Sequence, residues 1–418
     1  MLGNYVTISP PKANYEVADV FRLFLEDYRQ QYSLTYRQEE VIRAILACRT
    51  PEMGGVVNRC EECGAVQFVF RSCGDRHCPK CGKYRKADWV ARQEVVVLPV
   101  PYFHATFTTD HALNELIAVN QKEMLDALLW AVSKTLKEFG QEHLGGQLGI
   151  TAVLHTWGQT MVPHVHVHCI VTGGALSKDG QRFQKSQATY LFDVVELSAQ
   201  YRDRLCRKIR RLNRQGKLKL VGPAAGLDVE QVVAEIQAKK WEVFLKAFEE
   251  ADHLYSYLSR YVHQVAISNH RILKIDRRAK SVTFVYKDNK AGGQEKKMTL
   301  EGVEFIRRFL WHVLPRGLWR IRHYGLHHSS CRKRLSQARV LLGLEAAVPK
   351  AEELSLREWL TELFGEDRLN KCPHCGQQTM FRHSQYEEFN ILQLLVIGLA
   401  GVLTAKREAV PASRETAP

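Results

Sequence analysis

The chain of 418 residues reads as an α+β protein: a central antiparallel sheet with flanking helices, a cysteine-rich module before it and a small CxxC module after it. Three observations predict this. Residues 164–168 run His-Val-His-Val-His, and alternation of period two puts three imidazoles on one face of a strand and two valines on the other. Upstream lie a strand-like stretch, a long amphipathic helix and a second strand. The resulting order β-α-β-β, with its last two strands close in sequence, favours antiparallel pairing. Finally, Cys60-x-x-Cys63, Cys78-x-x-Cys81 and Cys372-x-x-Cys375 have the spacing of metal knuckles.

Each element follows from local pattern. Residues 15–48 form two helices, the second capped by Thr35 with Gln38 three residues on and carrying an apolar stripe of Val41, Ile42, Ile45 and Leu46. The cysteine-rich module runs to about residue 85. From Pro99 the alternation Tyr-Phe-His-Ala-Thr-Phe-Thr-Thr predicts a strand. Asp110 then caps one long helix through Leu116, Ile117, Leu125, Leu128, Leu129 and Val132, which Gly145 and Gly146 end. Ile150–Trp157, a turn through Pro163 and the histidine strand come next. Residues 176–240 are polar and mostly helical, with a basic helix over 202–214 ending at Gly216. Trp241–Phe248 and Val282–Tyr286 read as strands, Asp252–His263 as a helix, and residues 406–418 as a disordered tail.

Lys and Arg total 59 against 45 Asp and Glu, a net charge of +14 that favours a polyanionic partner. A membrane is disfavoured: the longest apolar run, Ile391–Leu403, is 13 residues and interrupted by Gln393. The N-terminus has no basic n-region leading into an apolar h-region, so the expected location is cytoplasmic. With no GxxxxGK[ST] loop in the chain, nucleotide hydrolysis is not expected.

Paired CxxC spacing in a chain without a signal points to zinc rather than disulfides. Cys60, Cys63, Cys78 and Cys81 can supply four thiolates to one structural Zn²⁺, leaving Cys48, Cys73 and His77 for a second ion or for packing. Cys372 and Cys375 need further ligands, and Cys331 with His327 or His328 is the nearest group. Lys80–Arg92, beside the second knuckle, suits DNA.

His164, His166 and His168 on one strand face can bind a divalent metal, and His155 and Gln159 of the preceding strand and turn can face them. Tyr257 and Tyr261, at i and i+4, share a helix face. Two such tyrosines are ordinarily packed core, and Ser259, Arg260, His263 and Gln264 around them give the pair a polar setting.

Taken together, Pro163-His-Val-His-Val-His-Cys-Ile-Val-Thr-Gly-Gly and the 257–272 stretch Tyr-Leu-Ser-Arg-Tyr-Val-His-Gln-Val-Ala-Ile-Ser-Asn-His-Arg-Ile resemble the IS91 family of rolling-circle transposases, which are HUH-type single-strand endonucleases. Cys73–Cys81, His155–Gln159, Phe284–Asp288 and Arg320–Gly325 carry the likeness along residues 15–380. Val165 stands where the family usually has proline, and the Pro-Pro-Phe-Gly-Gly stretch of many relatives is missing around 241–248.

The resemblance implies an HUH-type nuclease domain over 99–330 with a helical basic insertion at about 176–240. An N-terminal zinc-binding DNA-binding region over 1–98 precedes it, and a helical CxxC region over 331–405 follows. It makes His166 and His168 the metal pair, with Gln159 first and His155 second as further ligand and His164 as an additional candidate. Tyr257 and Tyr261 become nucleophiles. Mg²⁺ or Mn²⁺ would polarise the scissile phosphate of single-stranded DNA at element ends, giving a 5′-phosphotyrosine link whose bond energy drives strand transfer into target DNA. Arg207, Lys208, Arg210, Arg211 and Arg214, with Arg320, Arg322 and the aromatics Trp311, Trp319 and Tyr324, are the expected DNA contacts. A nucleoid-associated protein, as monomer or homo-oligomer, is implied. The rival readings are a rolling-circle replication initiator or relaxase, and a non-catalytic zinc regulator.

Overall fold

The computed structural model describes residues 14–81, 92–248, 265–288, 291–349 and 370–386, the backbone of Val6–Ile8 and a few single positions. The segment holding Tyr257, Tyr261 and the expected helix 252–263 lies outside these residues, as do the apolar run 391–403 and the tail 406–418. The chain divides into two compact units drawn from non-consecutive stretches. The first comprises Met1–Gly82, Ser268–Thr283 and Glu352–Pro418; the second comprises Lys83–Ile267 and Phe284–Ala351. The CxxC region expected to stand apart at the C-terminus thus belongs with the N-terminal residues.

In the first unit, helices Val17–Gln31 and Tyr36–Ala47 form the expected pair. The Thr35 side chain accepts from the Gln38 amide while the Gln38 side chain reaches back to the Thr35 amide, so two otherwise unpaired donors are satisfied reciprocally. Strands Gly55–Cys60 and Val66–Phe70 pair antiparallel, and Met380–Tyr386 adds to the outer edge of Gly55–Cys60 with Met380 opposite Cys60.

The second unit is built on a five-stranded sheet. Its strands are β1 (Tyr102–Thr108), β2 (Gly149–Trp157), β3 (Pro163–Thr172), β4 (Val243–Ala247) and β5 (Ile321–Gly325), in the spatial order β4-β1-β3-β2-β5. All four pairings are antiparallel, and the short connection requires this of the β2–β3 pair. Helices α1 (Gln121–Leu144) and α2 (Val194–Arg214) cover one face. There Val165, Val167, Cys169 and Val171 of β3 pack with Leu125, Leu128 and Val132 of α1 and Leu205 and Ile209 of α2 in one core. Each such side chain contributes about 1.5–3 kcal/mol when fully buried. A one-residue slip of β3 would replace the valines with imidazoles in that core, so the hydrophobic face fixes which way the histidines point.

Two helical expectations change. The helix expected to run unbroken from Asp110 is interrupted. Asp110 caps a short 3₁₀ turn by accepting from the Ala112 amide, a six-residue helix Asn114–Val119 follows, and α1 restarts at Gln121. Asn120 makes the break: it is buried, and its side chain bonds the Leu116 carbonyl and both backbone groups of Lys219. The 176–240 stretch also opens with strand structure, Gly174–Ser177 pairing with Phe183–Lys185, before α2 begins. The strand expected at 282–286 is present as Ser281–Asp288, and that at 241–248 as β4.

Candidate metal centres and functional site

The histidine face of the sheet is assembled by register. On β3, His166 lies opposite His155 of β2 and opposite Thr108 of β1; His168 lies opposite Val153 and Thr106. Ligand nitrogens of His155, His166 and His168 fall within 4.8 Å of one another, and all three residues are buried. His155 stands edge-on to both partners, with centroids 5.3 and 4.9 Å away, and stacks on Trp157 at 5.0 Å.

One ring nitrogen of His166 and one of His168 are already engaged. His166 donates from Nδ1 to the His164 carbonyl at 2.8 Å. His168 Nδ1 lies 2.9 Å from His104 Nε2 and 3.2 Å from Thr106 Oγ1. A ligating His168 carries its proton on Nδ1 and donates it to His104, leaving Nε2 for a metal. Burial pushes His166 down to about 4, His168 to about 2 and His104 to about 4, so the site presents neutral imidazoles at pH 7, the form that ligates. Three neutral nitrogens with no carboxylate among them fit one divalent ion and leave coordination positions for substrate oxygens.

The β2–β3 turn that aims His155 and Trp157 is held from behind. Met161 adopts a left-handed φ of 59°, which a side chain rarely takes, and is fully buried. Buried His312 clamps it, donating from Nε2 to the Met161 carbonyl at 3.0 Å and accepting from Thr156 Oγ1 at 3.1 Å. Arg308 donates to the Thr160 carbonyl at 3.0 Å.

The sequence placed Gln159 ahead of His155 as third ligand; the structure sets the two side chains in different surroundings. Gln159 is exposed in the turn, whereas His155 sits on the strand directly beside His166. His164 is half-buried at the edge of the group, its ring 4.8 Å from that of His166 and 5.6 Å from that of His111. His104 was missed. The available signal was the alternation of β1, which puts His104, Thr106 and Thr108 on the face opposite Phe103, Ala105 and Phe107.

The cysteines form two groups of four, Cys48-Cys73-Cys78-Cys81 and Cys60-Cys63-Cys372-Cys375. Four sulfurs at about 2.3 Å from one tetrahedral Zn²⁺ stand roughly 3.7–3.8 Å apart. The Cys60–Cys375, Cys63–Cys372 and Cys73–Cys81 sulfur pairs are each 3.7 Å apart, far beyond a disulfide. Backbone amides aim at the thiolates: Cys63 N–H at Cys60, His374 N–H at Cys372, Cys73 N–H at Cys48. Both groups fit structural zinc.

This corrects the expected pairing of Cys60-Cys63 with Cys78-Cys81. The partner knuckle of Cys60-Cys63 is Cys372-Cys375, brought there by the strand pairing of Met380–Tyr386. Cys331 does not join it; its sulfur accepts from Gln147, while His327 is buried against Thr151. His77 is not a ligand either. It bonds Asp75 at 2.9 Å, and Asp75 also pairs with Arg37 at 2.6 Å, tying the Cys73–Cys78 loop to helix Tyr36–Ala47. Burial alone would raise the Asp75 carboxyl, but His77 and Arg37 hold it below its usual range.

Several expected DNA contacts are engaged within the fold. Arg322 pairs with Asp126, and Arg210 with Glu230 and Gln237. Arg320 is buried, 5.5 Å from the Trp157 ring. Arg207, Arg211 and Arg214 remain exposed on α2 and carry no carboxylate partner among the described residues. Lys208 lies 5.2 Å from the Trp130 ring. Of the expected stacking aromatics, Trp319 is 75% exposed, whereas Trp311 and Tyr324 are half-buried against the helix-side core.

Two four-cysteine groups in the first unit and a buried three-histidine group in the second mark a metal-binding protein, and comparison with known proteins gives its class. Residues 20–109 match the family described as "Transposase zinc-binding domain", and residues 149–334 the one described as "Putative transposase". "Putative transposase y4qJ" of Sinorhizobium fredii is 37% identical over 376 residues, covering 87% of this chain and 94% of that protein. The transposase for insertion sequence element IS801 of Pseudomonas savastanoi pv. phaseolicola is 26% identical over 300 residues, covering 68% and 69%. The chain belongs to the IS91 family of transposases.

Two solved structures of the conjugative relaxase TrwC with oriT DNA are more distant. One is metal-bound, with 15% identity and a TM-score of 0.21, covering 39% of this chain and 72% of that one. The other is copper-bound, with 13% identity and a TM-score of 0.23, covering 61% and 98%. The assignment rests on the sequence relatives. Among the described residues no helix is long and apolar enough to cross a membrane.

Proposed function

We propose that this transposase cleaves single-stranded DNA at its element ends and transfers the strand through a 5′-phosphotyrosine link. The observation that carries the reading is the group of three buried neutral imidazoles, His155, His166 and His168, on the face of the sheet opposite the valines. They would hold Mg²⁺ or Mn²⁺, which when bound supplies Lewis-acid polarisation of a non-bridging phosphate oxygen. His104 and the His164 carbonyl set the ring orientations, and Trp157 walls the site beside His155. Tyr257 or Tyr261 attacks the phosphorus in line, and the 3′-oxygen leaves as a hydroxyl. The link keeps the phosphodiester's energy, so rejoining to a target 3′-hydroxyl needs no nucleotide. The exposed arginines of α2 offer charge to DNA, and Trp319 offers a stacking surface. The two zinc clusters serve as structural supports of a DNA-binding module.

The test is incubation of purified protein with Mn²⁺ and a single-stranded element end, followed by denaturing electrophoresis. A covalent adduct that disappears in the Tyr257→Phe/Tyr261→Phe double variant is expected. An unchanged adduct would reject the nucleophiles. Zinc-dependent DNA binding with no adduct on any end would instead favour a non-catalytic regulator.

A further inference from the structure

The basic helix α2 does not share a face with the histidines. Leu205 and Ile209 pack it onto the valine side of β3, so its outward arginines stand on the opposite side of the sheet. Sheet and helix together separate them from the histidine cluster by on the order of 15–20 Å. A single short strand held at the histidines therefore does not reach them directly.

On that far side, α1 and α2 run antiparallel and open into a groove of about 600 Å³ toward the start of α1 and the end of α2. Its walls carry Lys122, Lys208, Lys217, Glu123, Asp126 and Trp130. Asp126 is already neutralised by Lys122 and Arg322. Trp130 is 42% exposed, and the Lys208 ammonium sits 5.2 Å from its ring centroid. Beside the groove, Arg207, Arg211 and Arg214 repeat at i, i+4 and i+7 along one exposed stripe without acidic partners among the described residues. An accessible indole flanked by ammonium groups and extended by a row of uncompensated guanidiniums is complementary to a polyanion with flat, unpaired rings.

We propose that this groove is a second single-stranded DNA site, separate from the cleavage site: one base stacks on Trp130, and the flanking phosphates lie along Lys208, Lys217 and the arginine stripe. It would hold a strand other than the one at the histidines, so two strands could be kept on one molecule during transfer. Duplex DNA meets the same charges but hides its base faces from the indole.

The inference rests on single-stranded DNA as the substrate, not on the tyrosine chemistry, and two assays separate them. Adduct formation on a short element end reports cleavage; anisotropy of a fluorescein-labelled oligothymidylate with the full chain reports the groove. Trp130→Ala is expected to weaken oligothymidylate binding roughly 5- to 160-fold, the range for loss of one stacked base. The loss should be the same in wild type and in a His166→Ala/His168→Ala background, because independent sites add. Trp130→Phe, which keeps a ring, should bind nearly as wild type. A Lys217→Ala/Arg211→Ala variant should flatten the salt dependence by about 1.4 in slope, and it covers the case in which Trp130→Ala is poorly folded. Unchanged affinity and salt slope in these variants would overturn the proposal. So would stronger competition by duplex than by single strand, or a changed sedimentation coefficient with unchanged DNA binding, which would make the groove a contact between copies.

Discussion

His104 offers the sharpest check on how the histidine face is built. It is buried at 7% exposure, stacks on His168 with centroids 5.1 Å apart, and holds His168 Nδ1 at 2.9 Å. In His104→Ala, Nδ1 keeps Thr106 Oγ1 at 3.2 Å. Leaving a buried polar atom unpaired costs about 1–3 kcal/mol, and the surviving hydroxyl brings the loss to about 1.5 kcal/mol. That corresponds to roughly tenfold weaker metal binding, the lower end of what partners of metal-ligating histidines contribute. The assay is a Mn²⁺ titration followed by the EPR signal of free Mn²⁺, with zinc already bound to the cysteines. His104→Gln, which returns a hydrogen-bonding amide, should recover most of the affinity. A folded His104→Ala protein whose titration superimposes on wild type would show that His104 does not position His168.

Other outcomes follow from the same geometry. Cys375→Ser should lower bound zinc from two ions per chain to one by elemental analysis, since each ion has its own four thiolates; retention of two would refute the grouping. Replacing His155 should weaken Mn²⁺ binding far more than Gln159→Ala, and equal losses would return Gln159 to candidacy. His312→Ala takes the ring partner from both the Met161 carbonyl and the Thr156 hydroxyl and should lower stability by about 2–3 kcal/mol in urea unfolding; an unchanged midpoint would contradict the clamp. Burial holds His104, His166 and His323 at about 4, His327 at about 3 and His168 at about 2, all below the ordinary 6.5. The unfolded chain therefore binds protons first, and metal-free stability should fall as pH drops from 6.5 toward 4. The slope approaches roughly 1.4 kcal/mol per pH unit for each such group. Circular dichroism melts that stay level between pH 7 and 5 would refute this.

Local chemistry was legible in the chain. The Thr35–Gln38 capping box, the alternation of 164–168 and the valine face opposite the histidines each depend on neighbours a few residues away, and each is present as read. The interrupted helix at Asn120 was not legible, because the groups that satisfy its side chain, the backbone of Lys219, lie 99 residues on. The basic run 202–214 was correctly read as a helix. Which of its charges stay available depended on Glu230 and Gln237, which lie outside the run.

By itself, then, the sequence determined that thiolate knuckles and a histidine strand exist, and which residues share each face, since periods of 2 and 3.6 are properties of the backbone. Only the tertiary structure decided which knuckle meets which, that His155 rather than Gln159 stands beside His166, and that His104 supports His168. Those outcomes are set by strand register and by pairings such as Met380 with Cys60, 320 positions apart in the chain, where spacing along the sequence carries no information about distance in space.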